Sequence, residues 1–184
     1  MKRFVLTFLI VIFPFSAMIA QDLTFQQPVL ITSAGQSAGA TMMKVLASRA
    51  KLQFTFNNLA KVDDLSEEIR TIIVVVGASS KGLGAAGIDI EQEIQRVTAL
   101  LSRAKEMGMK IIVAHIEGQS RRGKTSDQLS ELVVPFADLV IVTKPGNEDG
   151  FFTNLCEKHQ KKLIVVDTTS AVQGVLEQYF KAGE

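Results

Sequence analysis

The chain is poor in reactive and metal-binding side chains. Its 184 residues include one cysteine, two histidines, one tyrosine and no tryptophan. A lone cysteine, Cys156, excludes an internal disulfide, so packing alone must hold the fold. Cys156 falls among Phe151, Phe152 and Leu155 at helical spacing. It reads as a buried small hydrophobe rather than a reactive thiol. His115 and His159 form no spaced ligand pair such as H-x-x-x-H, so no metal site is expected. Charge of neither sign dominates, with 20 basic residues against 19 acidic. That balance argues against nucleic-acid binding, which needs a basic face. Charge blocks, low-complexity runs and internal repeats are also missing.

Only one long apolar run stands apart from the rest. Lys2 and Arg3 precede the almost wholly apolar stretch 4–15, and small residues fill 16–20. This is the pattern of a secretory signal peptide, with cleavage expected after Ala20. The alternative is an uncleaved N-terminal membrane anchor, for which the run is short. With no cysteine near the cut, a lipid anchor is excluded. Residues 21–184 are then expected to form one extracytoplasmic domain, periplasmic or secreted, with no membrane contact after cleavage. That length can bury a core without metals or disulfides.

The stretch 71–87, TIIVVVGASSKGLGAAG, organises the remainder. Its β-branched run 72–76 is apolar on both faces, as a central parallel strand must be. Further strands are expected at 28–32, 110–116, 139–143 and 163–167. A period-two segment at Leu52, Phe54 and Phe56 reads as an edge strand. Segment 57–70 predicts a short or broken helix. Between the strands lie helical patterns, clearest at 89–107. There Ile90, Ile94, Val97, Leu101, Ala104 and Met107 line one face, Asp89 and Gln92 form a capping box, and Gly108 is a stop. Thr125 or Ser126 is expected to cap the next helix, and Thr169 or Ser170 the last. Glu67, Glu68, Glu91 and Glu93 read as ordinary helix-face charges. Six strands alternating with helices predict an α/β fold: a single three-layer, doubly wound domain, Rossmann-like or flavodoxin-like, with a mostly parallel sheet. All strand-to-helix loops then open on one rim, where such sheets take ligands.

Three constellations fall on that rim. The first, Gly35-Gln36-Ser37-Ala38-Gly39, matches G-x-S-x-G between a strand and a helix. Such a turn lifts a serine hydroxyl above the sheet. A nucleophile needs a base, and His115, ending a strand on the same rim, is the candidate. The bland reading is that these small residues only let the turn and helix pack. The second, 77–84 (GASSKGLG), is similar to the cofactor loop of short-chain dehydrogenases. It departs from it at Lys81, which breaks the spacing, and the catalytic Tyr-x-x-x-Lys is missing, since Gly183 follows Tyr179 at that interval. A Walker loop fails too, because Leu83 and Gly84 stand where Lys and Ser/Thr belong. No cofactor is therefore expected. Backbone N–H groups, Ser79, Ser80 and Lys81 beside a helix start can still hold an anion. The third is Ser120-Arg121-Arg122-Gly123-Lys124, whose paired arginines suit a carboxylate or phosphate fork. Its bland reading is a solvated turn.

With PVLITSAGQSA, VVVGASSKGLGAAGIDI, EGQSRRG and the 147–150 loop in view, the chain resembles an uncharacterised family of exported bacterial α/β proteins, a domain of unknown function. The resemblance implies export and a one-domain fold. It brings no activity, substrate or catalytic residue. The leading expectation is an extracytoplasmic module binding a small anionic ligand through Ser33, Gln36, Ser37, Ser79, Ser80, Lys81, Arg121 and Arg122. Its competitors are an exported serine hydrolase using Ser37 and His115, and a ligand-free interaction domain, dimeric through the 52–56 edge or a helix face.

Overall fold

The computed structural model describes residues 23–180. The expected signal segment lies outside them, and no helix among the described residues is long and apolar enough to cross a membrane. Six strands form one sheet: β1 (Val29–Ala34), β2 (Phe54–Phe56), β3 (Thr71–Val76), β4 (Lys110–His115), β5 (Leu139–Thr143) and β6 (Lys162–Val166). Their order is β2-β1-β3-β4-β5-β6, and every neighbouring pair is parallel. The sequence left that order open. It reverses direction once, between β1 and β3.

The β-branched run 72–76 lies within β3, in the middle of the sheet, and is buried throughout. Its side chains alternate between two cores, as the pleat requires. Ile72, Val74 and Val76 face a core built with α3 (Ile90–Glu106), α4 (Lys124–Val133) and α5 (Phe151–Lys158). Ile73 and Val75 face a second core, built with α1 (Gly39–Arg49) and α6 (Val172–Tyr179). Each fully buried Val or Ile contributes roughly 1.5–3 kcal/mol, so this strand alone anchors both layers. The period-two segment is the edge strand β2, but only three residues of it pair. The 57–70 crossover holds one turn of 3-10 helix at Val62–Asp64.

Three local expectations need correction: Thr168, not Thr169 or Ser170, is the cap before the last helix, accepting the Ala171 N–H. The glycine-rich stretch after β3 is mostly helix, α2 (Ser80–Ala86). Ser79 caps it by accepting the Gly82 N–H at 3.1 Å, and Gly87 ends it in the left-handed conformation at φ 68°. Leu83, Ala85 and Ala86 therefore outweigh the glycines once both ends are capped. Helix α4 begins at Lys124, one residue before the expected caps, and Gly123 precedes it with no side-chain cap. Ser126 is instead buried and accepts the Ala78 N–H at 2.9 Å, tying α4 to the end of β3.

Candidate functional site

The loops after β1 and β3 meet at the reversal in strand order. Gln36 and Ala78 form an antiparallel bridge, and the Ser79 N–H donates to the Gly35 carbonyl at 2.8 Å. Gly35 holds φ 107°, and a Cβ there would stand 2.5 Å from the Gly77 carbonyl oxygen. Only glycine fits such an approach. Doubly wound sheets usually take ligands in this crevice. Here backbone fills it.

Beneath the bridge lies a buried ion pair. Glu93 is fully buried and holds Arg96 Nε at 2.8 Å. Its Oε1 also accepts the Gly35 N–H at 2.7 Å and the Gln36 amide at 3.0 Å. Arg96 donates onward to the carbonyls of Ala60 and Ser33. Each nitrogen of the Arg96 guanidinium and each oxygen of the Glu93 carboxylate bonds another protein group, so this network shapes the 33–37 turn. Glu93 is not the ordinary surface charge its sequence suggested. Its position offered a signal: it falls on the apolar stripe of α3, three residues after Ile90 and four before Val97, with an arginine three residues on.

Ser37 and His115 do not come together. Ser37 is 4% exposed, and its hydroxyl donates to the Glu117 carboxylate. Glu117 in turn takes Arg121 Nε at 3.3 Å. A Cβ on Gly39 or Gly77 would stand 2.8 or 3.1 Å from Glu117 Oε2, so both glycines make room for this carboxylate. His115 lies on the other face, stacked on Phe152 with centroids 5.2 Å apart. Its Nδ1 is 3.1 Å from the Val76 carbonyl and its Nε2 3.2 Å from the Gly118 carbonyl. Burial pushes its pKa below the usual histidine value, against those two carbonyl contacts, which raise it. Buried against Phe152 on that face, with both ring nitrogens turned to backbone carbonyls, His115 has no nitrogen directed at Ser37. His159 ends α5, where the chain returns to the opposite edge of the sheet. Cys156 is buried, and burial pushes its thiol up to about 11.

The remaining expected contacts divide in two. Ser33, Gln36 and Ser79 are spent inside the loops: the Ser33 hydroxyl accepts the Gln36 N–H at 3.0 Å, and Ser79 is the cap of α2. Arg121 reaches both Glu117 and the Ala78 carbonyl. Arg122 is a staple. It pairs with Asp127 at 2.7 Å and Asp149 at 2.9 Å, donates to the Gly146 carbonyl, and lies over the Phe151 ring at 4.4 Å. Ser80 and Lys81 stay exposed in the first turn of α2. Beside them opens a cleft of about 230 Å³, lined by Ala78, Ser80 and Leu83 on one side and 122–126 on the other. It lies between the starts of α2 and α4, one strand beyond the filled crevice. The first turn of α4, whose residues line this opening, carries no side-chain cap for the N–H groups that a helix start leaves unpaired. Among the described residues no cluster of His, Cys, Asp and Glu could hold a metal ion.

The chain belongs to the family described as "Domain of unknown function (DUF6305)", whose model matches residues 26–180. No functionally curated protein matches it in sequence. Among solved structures it is similar to the SGNH-hydrolase family esterase AlinE4, at 12% identity and a TM-score of 0.31, covering 74% of this chain and 73% of that one. A serine-to-alanine mutant of that esterase gives 11% identity and a TM-score of 0.30, with 85% and 82% covered. An aspartate-to-alanine mutant gives 13% and 0.32, with 88% and 85% covered. Overlap at that level carries no argument about activity.

Proposed function

We propose that this DUF6305 member is an extracytoplasmic module that binds a small anion in the cleft between α2 and α4. One observation carries the reading: the uncapped first turn of α4 opens into a cleft of about 230 Å³ that also holds Ser80, Lys124 and Thr125. Free N–H groups and the positive end of the helix dipole favour negative charge there. Lys124 adds a full charge in the same turn. Arg122 sets the cleft wall but is already paired with two carboxylates, so it positions the turn rather than gripping a ligand. Export through the N-terminal segment belongs to the same proposal.

A thermal-shift screen against phosphates, carboxylates, amino acids and nucleotides tests it. A ligand at about 100 times its Kd adds roughly 2.7 kcal/mol to the native state. The expected hit is an anion whose shift is lost in Lys124→Glu and kept in Arg103→Gln, on a distant helix. A flat screen, or a hit indifferent to Lys124, overturns the reading. The hydrolase alternative retains Ser37 and its Glu117 partner but loses the histidine base it called for. Covalent labelling by a serine-reactive probe that vanishes in Ser37→Ala would revive it.

A further inference from the structure

Strand β6 is the last in the sheet, and it pairs only with β5. Along its outer side a row of N–H and C=O groups has no partner among the described residues. Val165 is 46% exposed, one of three large hydrophobics so exposed among the described residues. Natural edge strands are commonly blunted by proline, a bulge or inward charge. β6 has no proline and no bulge in its pairing with β5, and its one charge, Lys162, stands at its first residue. The opposite edge, β2, is protected: it is three residues long, and the Lys44 ammonium sits 5.1 Å above its Phe56 ring.

We propose that β6 pairs antiparallel with β6 of a second copy of this chain, about a two-fold axis at Ile164. The axis follows from side-chain pattern and charge. Residues directly opposite in an antiparallel pair share a face, so a two-fold axis normal to the sheet must pass at a residue, not between two. Centred on Ile164, the pairing sets Ile164 against its own copy on one face and Leu163 against Val165 on the other. It also sets Lys161 against Asp167 of the second copy, twice. Neither Lys161 nor Asp167 has an ion-pair partner among the described residues, and Asp167 is exposed. The same register leaves Lys162 opposite Val166 at the two ends of the seam; centred on Val165 instead, the strand would place Leu163 against Asp167 and lose both Lys161–Asp167 pairs. The interface is isologous and closes on itself as a dimer. It joins two parallel sheets through one antiparallel seam and leaves the α2–α4 cleft free.

Sedimentation velocity over a concentration series, on protein expressed from the full chain, tests this. The expected result is a reversible dimer. Asp167→Lys sets like charges opposite each other and should weaken dimerisation roughly tenfold. The double variant Lys161→Asp/Asp167→Lys exchanges the charges and should restore the original affinity. Circular dichroism at a dilution where all three chains are monomeric checks that they melt alike, as surface changes should. A monomer at every soluble concentration overturns the proposal. So does a dimer indifferent to Asp167→Lys, or one that the charge swap fails to restore.

Discussion

The backbone N–H of Gly35 donates to Glu93 Oε1 at 2.7 Å, joining residues 58 positions apart. Through this bond a buried carboxylate in α3 fixes the conformation of the turn after β1. The same oxygen takes the Gln36 side chain and one Arg96 nitrogen. Arg96 is almost fully covered, with its side chain 7% exposed.

Removing one partner of this pair leaves the other charged, buried and unpaired. Glu93→Leu should therefore cost roughly 3–5 kcal/mol, and the double change Glu93→Leu/Arg96→Met should cost clearly less. Urea denaturation of the two variants reads the difference. A double variant that loses more than Glu93→Leu, by what Arg96→Met costs alone, would mean that the two groups act independently.

Glycines only two positions apart should respond with opposite signs. A Cβ on Gly82 would stand 1.9 Å from the Gln36 carbonyl oxygen, whereas one on Gly84 meets nothing within 4 Å. Gly82→Ala should destabilise by roughly 1–3 kcal/mol through forced backbone movement. Gly84→Ala should stabilise by about 0.5–1 kcal/mol, because alanine loses less freedom in a helix. Melting temperatures of the two single variants give both signs at once.

His115 should make stability fall on mild acidification. Burial holds its folded pKa below the ordinary value of 6.5, in spite of its two carbonyl contacts. The unfolded chain therefore binds the proton more readily. The contribution is fully present above about pH 6.5 and is lost as pH falls from there through the folded pKa. Stability curves of His115→Gln should lack this slope. A wild-type curve that stays flat through this range contradicts the neutral, buried ring.

Asp138 acts at lower pH. Burial pushes its pKa up, but the Ile111 N–H at 2.8 Å and the ammonium groups of Lys105 and Lys110 outweigh that and hold it below 3.8. Its contribution is present above about pH 3.8 and is lost as pH falls through the folded pKa. Asp138→Asn should cost roughly 1.5–3 kcal/mol near neutral pH, the range for hydrogen bonds to a charged group. The gap between wild type and variant should narrow in strong acid. Urea titrations at the two extremes of pH measure it.

The sequence alone determined the layers and the buried elements. Ile72 to Val76 can be apolar on both faces only inside a sheet covered twice, and the 3.6-residue stripe of 89–107 can pack only as a helix on one of those faces. The capping box of Asp89 and Gln92 forms as its spacing requires. These are local or periodic properties, so they are written in the residue order. Which distant residues meet was settled by folding. Strand order put 33–37 beside 77–80 and closed the crevice with their own backbone. The pleat sent His115 to the face opposite α1, away from Ser37, although both belong to one rim. Arg122 looked like a free anion fork until Asp127 and Asp149, 5 and 27 residues away, were folded against it. Long-range pairing of charges depends on three-dimensional distance, and a single sequence encodes that distance only through the whole fold.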